Sequence, residues 1–130
     1  MITSAHSGEK MKIEISDIEV IADIQEEFNK AFPYLKIEFF SKPHKERAGT
    51  AKKYILPITK TLGQCRTIHT TGNIVIKPKM TVMEIETEFN FKYGLSVQLF
   101  RKSGRAWLET TVTDGWTLEE QNREGEALSK

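Results

Sequence analysis

The sequence predicts an α+β protein in which helices pack on one face of a sheet as a two-layer sandwich, and three observations support this. A segment near the amino terminus recurs 61 residues later. Each copy reads as strand, helix and strand, and a further strand and short helix follow the second copy. Two right-handed βαβ units related by a pseudo-twofold axis predict a ferredoxin-like topology, extended by a C-terminal hairpin strand and short helix.

The repeat aligns residues 12–42 with residues 73–102, with one position skipped at Tyr34. Nine of the 30 aligned positions are identical in the two copies. The identical residues of the first copy are Ile13, Ile15, Ile24, Glu27, Phe28, Asn29, Leu35, Phe40 and Lys42. Roughly two identities are expected for unrelated pairs, so the match indicates an internal repeat.

Helix signals recur at equivalent places in the two copies. Thr81 and Glu84 have the spacing of a capping box, and Gly94 provides a left-handed stop. Pro33 ends the earlier helix. The apolar residues fall on one side of each predicted helix, which indicates that both helices pack on the same sheet face. These residues are Ile21, Ile24, Phe28 and Phe32 in the first helix and Val82, Ile85, Phe89 and Tyr93 in the second.

Strand signals follow each helix and end the second half. Apolar and polar residues alternate over 35–39 and again over 95–99, which predicts strands with one buried face. The turn sequence KSGR precedes AWLETTV, which predicts a hairpin strand. Thr117 and Glu120 then form a second capping box for a short helix that ends near Gly125.

An alternative architecture uses the same residues of the carboxyl half. If RTIH and NIVIK pair as a hairpin around TTGN, that half becomes ββαββ. The short segments TVMEIETEF, GL and TLEEQN then resemble the sequence pattern of ubiquitin-like β-grasp domains. The resemblance implies a β-grasp-like carboxyl half.

The length, charge and composition of the chain limit the classes of protein to which it can belong. The chain has 130 residues, 38% of them apolar, which suits a single domain over 11–125 between a disordered lead, 1–10, and a tail, 126–130. The net charge of +1 gives no overall attraction to nucleic acid or membrane. Cys65 is the only cysteine, and no apolar run is long enough to span a bilayer. We therefore expect a cytoplasmic protein without a membrane partner, a metal or a cofactor.

A basic insertion, residues 41–72, separates the two copies. It holds seven Lys and Arg residues and one Glu, a net charge of 7 − 1 = +6. Such a segment can bind an anionic partner such as nucleic acid, with exposed aromatic rings adding stacking. The candidate binding residues are Lys42, Lys45, Arg47, Lys52, Lys53, Tyr54, Phe40 and Phe100. The favoured interpretation is instead that the insertion neutralises the acidic amino-terminal region and that the two Phe residues cover the end of the sheet against it.

Candidate catalytic residues are few. Cys65 and His69 are a possible thiol and base, but four residues along a strand separate them by roughly 13 Å. Glu109 and Asp114 lie near two tryptophans in the sequence, Trp107 and Trp116, where an aromatic wall could raise the pKa of a carboxylate, but the favoured interpretation is that the tryptophans close the end of the sandwich. No metal-ligand spacing or phosphate-binding loop is present.

The residues favour a non-enzymatic binding module over two alternatives. The expected partner is a macromolecule, a protein rather than nucleic acid, and a homodimer through the sheet face is also compatible with the pattern. The first alternative is nucleic-acid binding through residues 42–53 and the sheet aromatics. The second is an enzyme that uses Cys65 and His69.

Overall fold

The computed structural model describes residues 10–42 and 52–129, which contain three α-helices and two antiparallel sheets. The predicted α+β class is therefore confirmed. The elements are β1 Met11–Ile15, α1 Ile21–Ala31, β2 Leu35–Phe40, β3 Gly72–Ile76, α2 Val82–Tyr93, β4 Ser96–Ser103, β5 Ala106–Glu109 and α3 Leu118–Ser129. Short 3₁₀ turns cover Lys52–Tyr54 and Leu62–Gln64.

The described strands form two sheets rather than one. β1 pairs with β3, and β2 pairs with β4, which in turn pairs with β5. A ferredoxin-like sheet would join β1 to β4 in one layer, so that topology is not confirmed. Both edges of the β2–β4 pair have other partners: β5 lies along β4, and Ile55 bridges to Phe40 at the edge of β2.

The hairpin required by a β-grasp-like half is absent from the described residues. Residues 67–71 contain no strand, and β3 pairs with β1 instead. The side chain of Ile68 lies against Gly94, where a Cβ atom would come within 2.6 Å of its Cγ1. The RTIH segment therefore packs on the end of α2 and does not pair with β3. The prediction of this hairpin is wrong.

One hydrophobic core joins both sheets and all three helices. Phe39 and Phe89 meet edge to face with 5.8 Å between their ring centroids, which links β2 to α2. Fully buried core side chains come from β1, α1, β2, β3, α2 and β4: Ile13, Ile15, Ile24, Phe28, Ile37, Ile74, Ile76, Ile85 and Leu99. The predicted apolar stripes of α1 and α2 all lie in this core.

The ends of α2 follow the predicted chemistry. The Thr81 hydroxyl accepts a hydrogen bond from the Glu84 amide at 3.1 Å, and the Thr81 amide donates to the Glu84 carboxylate at 2.8 Å. Gly94 ends the helix with φ = 64°. These local signals give the helix boundaries directly because each satisfies a backbone group that the helix leaves unpaired.

α3 continues to Ser129, past the predicted end near Gly125. Gly125 is buried, and a Cβ atom there would lie 2.8 Å from the Cβ of Tyr34 and 3.2 Å from Cγ of Arg101. The glycine therefore permits close packing of α3 on β4 rather than ending the helix.

The amino termini of α1 and α2 are capped by the same pattern of backbone hydrogen bonds. The first two amides of each helix donate to carbonyls of a later loop: Ile21 to Lys60, Ala22 to Ile58, Val82 to Trp116 and Met83 to Asp114. A buried leucine follows each loop, Leu62 in one case and Leu118 in the other. The amide of Leu62 donates to Glu19, and that of Leu118 to Met80. The two halves thus share hydrogen bonds well beyond the aligned residues.

Candidate functional site

The predicted binding residues are separated by the structure into three environments. Lys45 and Arg47 lie outside the described residues. Lys42, Lys52 and Lys53 are exposed, and Tyr54 and Phe100 are half-buried. Phe40 is buried, with an exposed fraction of only 3%.

The prediction that Phe40 is an exposed stacking ring is wrong, because the insertion returns along the edge of β2. The amide of Ser41 donates to the Tyr54 carbonyl at 2.9 Å, and the amide of Leu56 donates to the Phe39 carbonyl at 2.8 Å. These bonds set Ile55 opposite Phe40. The two aromatic rings at equivalent strand positions are therefore not an open pair.

Two lysines and one ring of the predicted set lie together, and we name Lys42, Lys53 and Tyr54 the Tyr54 cluster. The Lys42 and Lys53 ammonium groups lie 4.8 Å and 5.2 Å from the centre of the Tyr54 ring. Both distances are within the range of cation–π attraction. The cluster gives the end of β2 a local positive charge next to a half-buried ring.

A second cluster, missed by sequence reasoning, lies on the outer face of the β2–β4–β5 sheet, and we name Lys36, Phe100 and Trp107 the Lys36 cluster. The Lys36 ammonium group lies 5.4 Å from the centre of the Phe100 ring and 5.2 Å from that of Trp107. Strand register explains the grouping: Lys36 is directly opposite Phe100, and Trp107 lies on the next strand. The alternation of apolar and polar residues along each strand shows that these three side chains point outward. Only the pairing register of the strands shows that they contact one another.

The outer sheet face carries both signs of charge. Lys36 forms an ion pair with Glu38 at 3.2 Å. The register places Lys102 opposite Trp107 and Glu109 opposite Phe100 on the same face. Lysine, glutamate and half-exposed aromatic side chains therefore alternate over three strands.

Cys65 and His69 have different partners, which does not support a thiol nucleophile activated by that histidine. The Cys65 thiol donates to the Thr61 carbonyl with Sγ 3.2 Å from the oxygen. Burial raises the pKa of Cys65, which favours the unreactive thiol over the thiolate. His69 Nδ1 instead lies 2.8 Å from Asp17 Oδ2.

Arg66 is the centre of a clamp that joins three segments, and we name Asp17, Arg66, His69 and Tyr93 the Arg66 clamp. The guanidinium donates to Asp17 Oδ1 from Nε at 3.2 Å and from Nη2 at 2.9 Å, and Nη1 donates to the Tyr93 carbonyl at 3.1 Å. The Arg66 side chain is fully buried. Hydrogen bonds from His69 and then from Arg66 lower the pKa of Asp17. The clamp ties the loop after β1 to the end of α2.

Acid should weaken the Arg66 clamp. Because the pKa of Asp17 is lower in the folded chain than its usual 3.8, folding is favoured by ionised Asp17. This stabilisation is complete above the usual pKa and is lost as the pH falls through the folded pKa. We expect Asp17→Asn to be less stable than the wild type at pH 7 in urea unfolding, with the difference shrinking below about pH 4. A difference that stays constant down to pH 2 would contradict this assignment.

The two tryptophans do not enclose a carboxylate pocket with Glu109 and Asp114, the less favoured of the two interpretations. Trp116 stacks on Arg101, with 5.5 Å between the guanidinium carbon and the ring centre, and Trp107 belongs to the Lys36 cluster. Asp114 is buried and Glu109 is exposed. A groove beside Trp116 runs along α3, and its lining residues are Trp116, Glu120, Arg123, Glu124 and Ala127.

Neither a metal-binding group nor a membrane-spanning helix occurs in residues 10–42 and 52–129. Within those ranges no three His, Cys, Asp or Glu side chains are grouped to hold a metal ion. No helix in the same ranges is long and apolar enough to cross a bilayer. The chain matches no protein-family model, and no curated protein or solved structure is significantly similar to it.

Proposed function

We propose that the chain is a non-enzymatic, cytoplasmic binding module that contacts a protein partner through the outer face of β2–β4–β5. The Lys36 cluster carries this proposal. It places a phenylalanine ring on the central strand, β4, beside a tryptophan ring on the edge strand, β5, and both are half-buried. Aromatic residues surrounded by polar side chains are typical of the residues that dominate binding energy in protein interfaces.

The charge of this face favours protein over nucleic acid. Glu38 pairs with Lys36, and Glu109 lies beside Phe100, so a phosphate backbone would meet carboxylates as well as ammonium groups. Surfaces that bind nucleic acid gain affinity mainly from cations that replace counterions. A protein partner can complement both signs.

The Tyr54 cluster supports nucleic-acid binding as a second candidate function. Two ammonium groups lie over one half-buried ring, so the same position combines cations that can contact phosphate with an aromatic side chain. It belongs to the basic insertion, whose net charge is +6 by count. A nucleic-acid partner would be contacted at the end of β2 rather than through the Lys36 cluster.

We also propose that the domain arose by duplication of a strand–helix–strand unit. Nine identities over 30 positions support this, as do the matching hydrogen bonds at the two helix amino termini. Each unit extends beyond the aligned residues to a Thr–Leu pair with a capping box, at Thr61 and at Thr117. The proposed unit is therefore longer than the sequence match.

Trp107→Ala should strongly reduce partner capture by the full chain. A tagged chain would be incubated with native lysate with and without nuclease, and the retained proteins quantified. Loss of a buried aromatic contact at an interface commonly costs about 2 kcal/mol, so retention should fall roughly 30-fold. Phe91→Ala is the matched control because Phe91 is 83% exposed on α2, away from this sheet face.

Two results of the same assay would contradict the leading proposal. One is equal retention of every captured protein by the wild type and Trp107→Ala. The other is retention that disappears with nuclease and depends on the Tyr54 cluster, as shown by Tyr54→Ala. That second result would establish nucleic acid as the partner.

A further inference from the structure

The two halves meet through a surface that is self-complementary. The first half comprises residues 10–42 and 52–66, the second comprises residues 72–129, and residues 67–71 connect them. We propose that a second copy of this chain can occupy this surface, so that two chains exchange halves and form a dimer. The inference depends on the strand pairing and not on the proposed binding function.

Both strand pairs between the halves are centred on equivalent residues. Ile13 lies opposite Ile74, its counterpart in the repeat, and the pair is antiparallel. Glu38 lies opposite Gln98, which is again its counterpart, in a second antiparallel pair. Antiparallel pairing of equivalent positions is the arrangement that a twofold axis generates between identical subunits. The halves therefore pair as two subunits of a dimer do.

Residues near the carboxyl end of each half form hydrogen bonds with the turn between helix and strand in the other half. Arg66 Nη1, from the first half, donates to the Tyr93 carbonyl at 3.1 Å. Asn122 Oδ1, from the second half, accepts from the Tyr34 amide at 2.9 Å. The close approach of Gly125 to Tyr34 adds a packing contact of the same kind. These reciprocal contacts cross the boundary in both directions.

Exchange between two chains would preserve these contacts. Among the described residues, the one strand paired with β1 is β3 of the other half, so a separated half would expose its buried isoleucines. Residues 67–71, the segment that must change its path, are all exposed and without regular structure, and the contacts of Ile68 with Gly94 and of His69 with Asp17 are those that exchange must release or form again. Reciprocal exchange of identical elements costs little when only such a connector is rearranged.

Two full-length variants test this proposal by complementation. Phe28→Asp places a charge in the core of the first half, and Phe89→Asp does the same in the second half. Each variant alone should fail to refold from urea. When the two are refolded together, the intact second half of one can pair with the intact first half of the other. We expect a 1:1 dimer by size exclusion with about half of the wild-type helical circular dichroism per chain.

Cleavage of the otherwise wild-type chain provides an independent readout if the Asp variants aggregate. A protease site inserted in residues 67–71 would be cut, and the cut protein would be mixed with an isotope-labelled sample and passed through a cycle of unfolding and refolding. Native mass spectrometry should show intact pairs, about half of them with mixed labels. The proposal is overturned if the mixed variants stay unfolded and the cut halves separate or never exchange. Exchange of labels supports it even where the variants do not refold.

Discussion

Phe89→Ala is expected to lower the free energy of unfolding by about 3 to 5 kcal/mol, the cost typical of a buried phenylalanine. Phe89 is fully buried on α2 and packs edge to face on Phe39 of β2. Its loss would leave a cavity between α2 and β2. Urea unfolding followed by circular dichroism would show a lower midpoint with little change in slope.

Phe91 is the matched control on the same helix. It is two residues from Phe89 and is 83% exposed, so Phe91→Ala should change the free energy of unfolding by no more than about 0.5 kcal/mol. Equal effects of the two substitutions would show that α2 does not present the face seen in the structure.

Arg66→Ala is expected to lower the free energy of unfolding by about 2 to 3 kcal/mol. The substitution removes a fully buried side chain and leaves the Tyr93 carbonyl without its donor, which itself costs about 1 to 3 kcal/mol. Asp17 also loses two hydrogen bonds, although it keeps His69. The same urea titration measures the effect.

Arg105→Ala controls for the loss of a positive charge. Arg105 is exposed in the turn between β4 and β5, and its replacement should change stability by no more than about 0.5 kcal/mol. Similar midpoints for Arg66→Ala and Arg105→Ala would rule out a stabilising clamp. Arg66→Lys should recover only part of the loss, because an ammonium group cannot form the same fork of hydrogen bonds.

Local chemistry made part of the fold predictable. The Thr81 capping box, the Gly94 stop and the stripe ending at Tyr93 each involve neighbours within one helix, and all are present in the structure. Gly125 shows the limit of such signals. In a sequence, a glycine can mark either the end of a helix or a site of close packing. Only the contact with Tyr34 in the structure shows that Gly125 is a packing site.

Strand pairing was not predictable because it depends on residues distant in the chain. Alternation over 35–39 and 95–99 indicates two strands but not that they pair with each other, as β2 and β4 do. A ferredoxin-like order uses the same alternation with different neighbours. The partner of each strand is decided by which edges remain available, and Ile55 and β5 take the outer edges here.

The candidate sites were likewise predictable where a contact joins sequence neighbours and not where it joins distant residues. The three members of the Tyr54 cluster were all among the predicted residues, but only the Lys53–Tyr54 contact is local, since Lys42 meets Tyr54 through the return of residues 54–56 to β2. Phe40 was misplaced because nothing local indicates that residues 54–56 return to β2. Lys36 and Trp107 were missed because their contact exists only in one register across three strands.

Pairing of β2 with β4 is the central structural claim, and one nuclear Overhauser measurement tests it directly. The Ile37 carbonyl accepts from Gln25 and the Leu99 amide donates to Glu86, so both groups point away from the β2–β4 boundary. Ile37 and Leu99 therefore form a non-hydrogen-bonded pair, with Cα atoms about 4.5 Å apart. We predict a strong cross-peak between their α-protons. Absence of that cross-peak, with the Ile37 α-proton close to a residue of β3 instead, would contradict the account and restore a ferredoxin-like sheet.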